Sequence, residues 1–172
     1  MTASTVEAPH AHTLTVTVDN EAGALARIVG LFSARGYNIE SLTVADISEG
    51  HDVSRITIVT TGTERVIEQI MAQLERLIPV HKVADLTAAG NYVEREMALV
   101  KVAGLGEDRL EAMRLAEIYR ARVVDATMES FIFEITGSTE KVDQFVELMR
   151  QIGLVEIGKS GVVAISRGKE TG

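Results

Sequence analysis

Residues 19–42 read DNEAGALARIVGLFSARGYNIESL, and this stretch decides the fold. It predicts the end of a β-strand, a polar turn, an amphipathic helix and the start of a second strand. Apolar residues recur in it at helical spacing, and Gly36 stands where a helix-ending glycine is expected. Gly23, at the predicted helix start, has no side chain to shield the unpaired backbone N–H groups there. The stretch therefore indicates a strand–helix–strand unit with an open helix N-terminus.

The sequence on either side extends this unit to the order β-α-β-β-α-β. Residues 12–18 alternate polar and apolar side chains, as a half-buried strand does. Two β-rich runs at 38–47 and 53–61 flank a polar turn, and a second apolar helical stripe precedes a strand at 80–86. This order is the split βαβ, or ferredoxin-like, arrangement. One face of its sheet would carry both helices, so the other face needs a different cover.

The same order repeats in the second half of the chain, after a small polar joint at residues 87–91. The repeat is predicted as a strand at 94–103, a helix at 108–121, strands at 122–128 and 131–136, a helix around 142–149, and a final strand made from 154–157 and 162–165. We therefore expect an α+β chain of two tandem ferredoxin-like βαββαβ domains. The predicted segments are a flexible tail at 1–11, a first domain at 12–87 and a second domain at 92–168.

Composition excludes several classes of protein. The net charge of −8 disfavours a nucleic-acid partner, because phosphate binding needs clustered Lys and Arg. The absence of Cys excludes disulfides and thiolate chemistry. No apolar run approaches the ~20 residues of a membrane span, and the first dozen residues do not resemble a signal peptide. We expect a cytoplasmic chain that binds neither membranes nor nucleic acids.

The sequence shows no catalytic or metal centre. His10 and His12 are assigned to the tail, and no spacing of the four histidines completes a metal set. There is no G-x-S-x-G elbow and no P-loop pattern. Residues 104–109 read GLGEDR, which lacks the third glycine of a dinucleotide fingerprint and carries an acidic pair that would repel a pyrophosphate. We therefore expect no enzymatic activity, no cofactor and no metal in this chain alone.

The open helix start suggests a binding site for a carboxylate. A helix N-terminus carries partial positive charge and unpaired N–H groups, so it suits the charged head of a small amino acid. The candidate effector-binding residues are Asn20, Gly23, Ala24, Leu25, Asn38 and Ile39. On spacing alone, alternatives stay open. Asn20 serves equally as a cap or turn residue, Gly23 as an aid to a tight turn, and Asn38 as a residue that merely follows the helix.

These residues closely resemble the regulatory (small) subunits of acetolactate synthase, also called acetohydroxyacid synthase. The family signature Asn-Glu-x-Gly-x-Leu-x-Arg stands here at residues 20–27, and Phe-Ser-x-Arg-Gly-Tyr-Asn-Ile-Glu-Ser-Leu at 32–42. Further matching stretches include SRITI at 54–58 and SGVVAISRG at 160–168. Ala22 stands where relatives often have Ser. The resemblance covers nearly the whole chain.

The resemblance implies a first domain of the ACT type and a ferredoxin-like second domain that activates a separate catalytic (large) subunit. That catalytic subunit would carry thiamine diphosphate, Mg²⁺ and FAD, and would convert two pyruvates to 2-acetolactate and CO2. The regulatory chain would form a homodimer through its ACT domains and mediate feedback inhibition by valine, a branched-chain amino acid. Asn20, Gly23, Ala24 and Leu25 would bind the effector's carboxylate and amino groups, with Asn38 and Ile39 from the neighbouring chain. The alternative is a free-standing ACT-domain amino-acid sensor without a synthase partner.

Overall fold

The computed structural model of the chain describes residues 8–169, 171 and 172. The first half contains β1 (His10–Asp19), α1 (Ala24–Arg35), β2 (Ser41–Asp46), β3 (Val53–Gly62), α2 (Glu64–Leu74), β4 (Val80–Asp85) and the short helix α3 (Leu86–Ala89). The second half contains β5 (Tyr92–Ala103), α4 (Glu107–Tyr119), β6 (Arg122–Ala126), β7 (Ser130–Gly137), α5 (Thr139–Ile152), β8 (Leu154–Lys159) and β9 (Val163–Ser166).

The two sheets confirm the predicted fold class. Their strand orders are β2-β3-β1-β4 and β6-β7-β5-β8, and β9 pairs with β5 beside the second order. The pairs within each four-strand order are antiparallel. Each sheet thus has the ferredoxin-like arrangement, in which the first and third strands of the unit lie at the centre. In the described part of the chain, no helix is long and apolar enough to cross a membrane.

Each half has its own apolar core. In the first half, Leu14 and Val16 of β1 pack with Ile28 and Phe32 of α1 and Ile70 of α2, all of them fully or almost fully buried. In the second half, three aromatic rings anchor the core: Phe133 lies 5.4 Å from Phe131 and 6.1 Å from Phe145, measured between ring centroids. Because each core is closed by its own helices and sheet, each half buries apolar side chains without help from the other.

The chain divides into two compact units. One comprises the described residues up to Val93 together with those from Ala164 onward, and the other comprises Glu94–Val163. Residues 164–168, which are predicted in the second domain, are grouped with the first unit, although their strand β9 pairs with β5 of the second sheet. The physical reason is that they contact residues of the first sheet, as described below, and a local pattern carries no sign of such long-range contacts.

The predicted joint and tail differ from the structure. The joint at 87–91 begins as a helical turn, because Asp85 Oδ1 caps α3 by accepting hydrogen bonds from the backbone N–H groups of Thr87 and Ala88. Residues 1–7 of the predicted tail lie outside the described residues. His10 and Ala11 of the predicted tail extend β1 by pairing with β3. His12, the first residue of the predicted strand, is a buried strand residue and does not belong to a tail.

Two predicted strands also need correction. The strand predicted from residue 38 begins only at Ser41, because Gly36 ends α1 at φ 69° and the chain needs residues 37–40 to reach the sheet edge. The single final strand is two separate strands, β8 and β9, because Gly161, at φ 85°, interrupts the run between them.

Candidate functional site

The candidate site begins where β1 ends. The backbone N–H of Asn20 donates to the carbonyl of Asp52 at 2.8 Å, and its side-chain Nδ2 donates to the carbonyl of His51 at 2.8 Å. The side-chain amide of Asn has two N–H donors and one acceptor oxygen. Asn20 is exposed, so one N–H of its amide holds the β2–β3 turn while its other groups face solvent. Asn20 is therefore both a turn residue and a possible ligand residue.

The turn that Asn20 holds is ordered by its own polar contacts. The Ser48 hydroxyl donates to Asp52 at 2.7 Å, and the Ser48 backbone N–H donates to Asp46 at 3.0 Å. That backbone hydrogen bond, followed by the one from the His51 side chain, lowers the pKa of Asp46 below its usual value. His51 itself has φ 55°, an uncommon conformation for a residue other than glycine. The turn thus presents the His51 carbonyl to Asn20 at a modest cost in backbone strain.

The helix start is open, but less so than the sequence predicted. Gly23 has φ 89°, and a Cβ built there meets no atom within 4 Å. The Ala24 N–H already donates to the carbonyl of Glu21 at 3.2 Å, and the first bond within α1 runs from the Arg27 N–H to the Gly23 carbonyl. This leaves the N–H groups of Gly23, Leu25 and Ala26 as the donors that the helix itself does not pair. The first turn of α1 carries no acidic residue. Its partial positive charge is therefore not neutralised within that turn.

Asn38 and Ile39 lie at the other end of α1. The Asn38 carbonyl accepts a hydrogen bond from the Thr60 hydroxyl at 2.6 Å, and its side chain is exposed. Ile39 is half-buried and packs against the first core. Because α1 has 12 residues, it spans about 18 Å at 1.5 Å per residue. One chain therefore does not bring Asn38 and Ile39 together with Gly23, and the six candidate residues form two separate groups.

The other sequence features show no competing reaction centre. α4 begins at Glu107 after Gly106, so residues 104–109 form the predicted strand-to-helix turn. Glu107 and Asp108 occupy its first helical turn, where their charges disfavour an anionic ligand. Among the residues that the structure describes, no three His, Asp or Glu side chains converge in a way that could hold a metal ion.

A groove in the first unit was not anticipated. It has a volume of about 610 Å³ and lies at the end of β1 opposite to Asn20. Its wall includes His12, which is 3% exposed and whose Nδ1 lies 2.7 Å from Asp85 Oδ2. The partners are 73 residues apart, so the only local signal was the position of His12 in phase with Leu14 on one face of β1. The pair fixes the beginning of α3 to β1, because Asp85 also caps that helix.

Comparison with known proteins places both halves of the chain in one family. The model of the small-subunit-like ACT domain of acetohydroxyacid synthase matches residues 14–82, and the model of the small subunit of acetolactate synthase matches residues 95–168. A probable acetolactate synthase small subunit from Archaeoglobus fulgidus is 47% identical over 159 residues, which cover 92% of this chain and 98% of that protein. The chain belongs to the family of acetolactate synthase small subunits.

Other members of the small-subunit family agree. The small subunit of acetolactate synthase isozyme 3 from Salmonella typhimurium is 46% identical over 90% of this chain and 94% of its own length. The crystal structure of the small subunit from Thermotoga maritima superposes with a TM-score of 0.83 at 39% identity, covering 94% of this chain and 99% of that one. As a member of this family, the chain is a regulatory subunit and is not catalytic alone. All six candidate residues lie within the ACT-domain match.

Proposed function

We propose that this regulatory subunit binds a branched-chain amino acid, valine in the first place, at the interface of an ACT-domain homodimer. The observation that carries the proposal is the separation of the candidate residues into two groups at opposite ends of α1. In a dimer whose two-fold axis is perpendicular to α1, the two copies of this helix run antiparallel. Gly23 of one protomer then lies near Asn38 of its partner, and two complete sites form.

Several features of the first unit support this interface. β2 lies at the edge of the first sheet and pairs with β3, so a second copy has a strand edge to join. Leu25, Val44 and Ile47 expose 39%, 44% and 55% of their surface. Exposed apolar side chains on α1, on β2 and directly after β2 favour burial against another protein surface. A dimer in which the two sheets join side by side would use that edge.

The chemistry of the two groups fits an α-amino acid. The N–H groups of Gly23 and Leu25 would donate to the carboxylate at the positive end of α1, and the carbonyl oxygen of the Asn20 side chain would accept from the ammonium group. Ile39 of the partner protomer would contribute an apolar wall, and its Asn38 a further amide. One methylene in such a pocket discriminates by only about 1–3 kcal/mol, so selectivity between valine and isoleucine should be partial.

We further propose that the bound amino acid regulates a separate catalytic subunit, which the second domain activates. Thiamine diphosphate, Mg²⁺ and FAD would reside on that catalytic subunit, and this chain would supply no cofactor to the conversion of two pyruvates to 2-acetolactate and CO2. Family membership supports a catalytic partner. No observation favours the free-standing sensor.

Calorimetric titration of the purified chain with valine, leucine and isoleucine tests the effector, with valinamide as the control that lacks the carboxylate. We expect binding of valine and none of valinamide. Acetolactate formation by the catalytic subunit, measured with and without this chain and with and without valine, tests the regulation. Equal binding of valine and valinamide would refute the carboxylate site, and unchanged acetolactate formation on adding the chain would refute activation.

A further inference from the structure

The second face of the first sheet is covered, although neither α1 nor α2 lies on it. Leu14 and Val16 of β1 pack against the helices, so Thr13, Thr15 and Thr17 point to the opposite face. Thr13 and Thr15 are nevertheless only 4% and 2% exposed. Among the described residues, this face is contacted by α3, whose Thr87 hydroxyl accepts a hydrogen bond from the Thr13 N–H, and by the segment that begins at Ala164.

Arg55 holds the segment that begins at Ala164, which we call the returning chain because it leads back from the second unit to the first. Arg55 lies on β3 opposite Thr17 of β1, and therefore on the covered face. Its Nη2 donates to the carbonyl of Ala164 at 3.5 Å, and Ala164 is 1% exposed. The Nε atom of Arg55 is buried and has no partner among the described residues. Desolvation lowers the pKa of Arg55 from its usual value, but the guanidinium remains charged in proteins.

Arg167 joins the returning chain to the segment around Asn91 and Tyr92, which leads out to the second unit. The polypeptide passes between the two compact units twice, after Val93 and after Val163. The Arg167 backbone N–H donates to the carbonyl of Asn91 at 2.8 Å, and its Nε donates to the carbonyl of Tyr92 at 3.3 Å. We call Arg55, Ala164, Arg167, Asn91 and Tyr92 the crossing clamp, and all five residues belong to the first unit.

The crossing clamp begins close to the candidate effector site. Val53 of β3 pairs with Asp19, and the neighbouring Asp52 carbonyl accepts the Asn20 N–H. Arg55 follows Val53 by two strand residues, a separation of about 7 Å along the strand. A shift of the Asn20 corner would therefore reach the guanidinium of Arg55 through one short, hydrogen-bonded piece of β3.

We propose that Arg55 is a positioning residue that couples the effector site to the second unit by holding the crossing clamp on the first sheet. This inference rests on the proposed effector function. An effector bound at the Asn20 corner shifts the position of the start of β3. Arg55 passes this shift to Ala164, and Arg167 passes it to the two segments that connect the units. The coupling needs no contact between effector and clamp, because it is a difference in free energy between two arrangements of the clamp.

Arg55→Gln in the full chain tests the proposal, with Arg65→Gln as the matched control, since Arg65 is exposed on α2. Arg55→Lys is the conservative variant, which keeps a charge but loses the planar fork. For each variant we would measure its melting temperature, its valine affinity by calorimetry, valine inhibition after reconstitution with the catalytic subunit, and hydrogen exchange of the Arg167 amide without effector.

For Arg55→Gln we expect valine affinity within about twofold of the wild type, while activity at saturating valine rises toward the valine-free value. The Arg167 amide should exchange faster, because its hydrogen bond to Asn91 opens more often. Arg55→Lys should show intermediate inhibition, and Arg65→Gln should match the wild type. Full valine inhibition in Arg55→Gln would overturn the coupling role.

The hydrogen-exchange measurement separates this inference from the proposed function. If the wild-type chain bound no valine, the proposed function would fail, and faster exchange of the Arg167 amide in Arg55→Gln would still support the clamp. Exchange at the wild-type rate in Arg55→Gln would overturn the clamp whatever the effector does. If Arg55→Gln unfolds, the same two readouts on Arg55→Lys decide the matter.

Discussion

A substitution pair at Gly23 tests the effector site most directly. Gly23→Asp places a carboxylate at the start of α1, and Gly23→Asn places a neutral side chain of nearly the same shape there. The φ of 89° strains any L side chain, but a Cβ at this position meets no atom within 4 Å. Both variants should therefore lose a similar stability, about 1 kcal/mol, and Asn and Asp tolerate this conformation better than most residues. Comparing the two variants therefore separates the effect of the added charge from the effect of the backbone strain, which both share.

The difference between the two variants can be sized. A carboxylate about 4 Å from the effector's own costs about 4 kcal/mol at an effective dielectric constant of 20 and about 1 kcal/mol in water. Gly23 is exposed in one chain, so we expect valine affinity in Gly23→Asp to fall at least about fivefold below Gly23→Asn. Calorimetry measures this difference. After reconstitution, Gly23→Asp should need at least about fivefold more valine than Gly23→Asn for the same inhibition, with activation largely retained. Equal valine affinity in the two variants would refute the site at Gly23.

Three further predictions follow from the geometry. Asn38→Ala should weaken valine binding by about 1 kcal/mol, the net value of one hydrogen bond; wild-type affinity by calorimetry would remove Asn38 from the site. Phe133 is fully buried, so Phe133→Ala should lower the free energy of unfolding by about 3–5 kcal/mol. It should impair activation more than valine binding, and an equal loss of both would contradict separate roles for the domains. Desolvation lowers the pKa of Lys159, but hydrogen bonds to Asp143 and Glu96 outweigh it and raise that pKa above its usual 10.5. A raised pKa stabilises the folded state below pH 10.5 and loses this effect as the pH rises through the folded value, so the difference in melting temperature between wild type and Lys159→Gln should shrink above pH 10.5; a constant difference would contradict the charged pairing.

Local patterns predicted the elements of this fold because each obeys a local rule. The alternation along β1, the helical stripe of α1 and the glycine at 36 all act through neighbours in sequence, and the structure confirms both βαββαβ units. The helix start at Gly23 was visible for the same reason. The hydrogen bond from the Ala24 N–H to the Glu21 carbonyl was not visible, because a sequence does not show which way a turn closes.

Features that depend on distant partners could not be predicted from one sequence. The burial of His12 depends on its contact with Asp85, 73 residues away. Ala164 lies on β9, which pairs with β5 of the second sheet, but its carbonyl also accepts from Arg55, 109 residues earlier. Sequence reasoning did require some cover for the second face of the first sheet. It could not identify α3 and the returning chain as that cover, because neither carries an unusual local pattern.

The division of the candidate site also bears on how such a regulator would respond in a cell. If each chain carries only Asn20 and Gly23 at one end of α1 and only Asn38 at the other, effector binding and dimer formation are thermodynamically linked. An effector that binds only the dimer stabilises it, and dilution of the chain weakens the apparent affinity for the effector. The same β2 edge that completes the site then lies on the strand next to Arg55, since Ala45 of β2 pairs directly with Arg55 of β3. Dimerisation, effector binding and the crossing clamp would therefore act on one strand, β3, which is the physical reason to expect them to respond together.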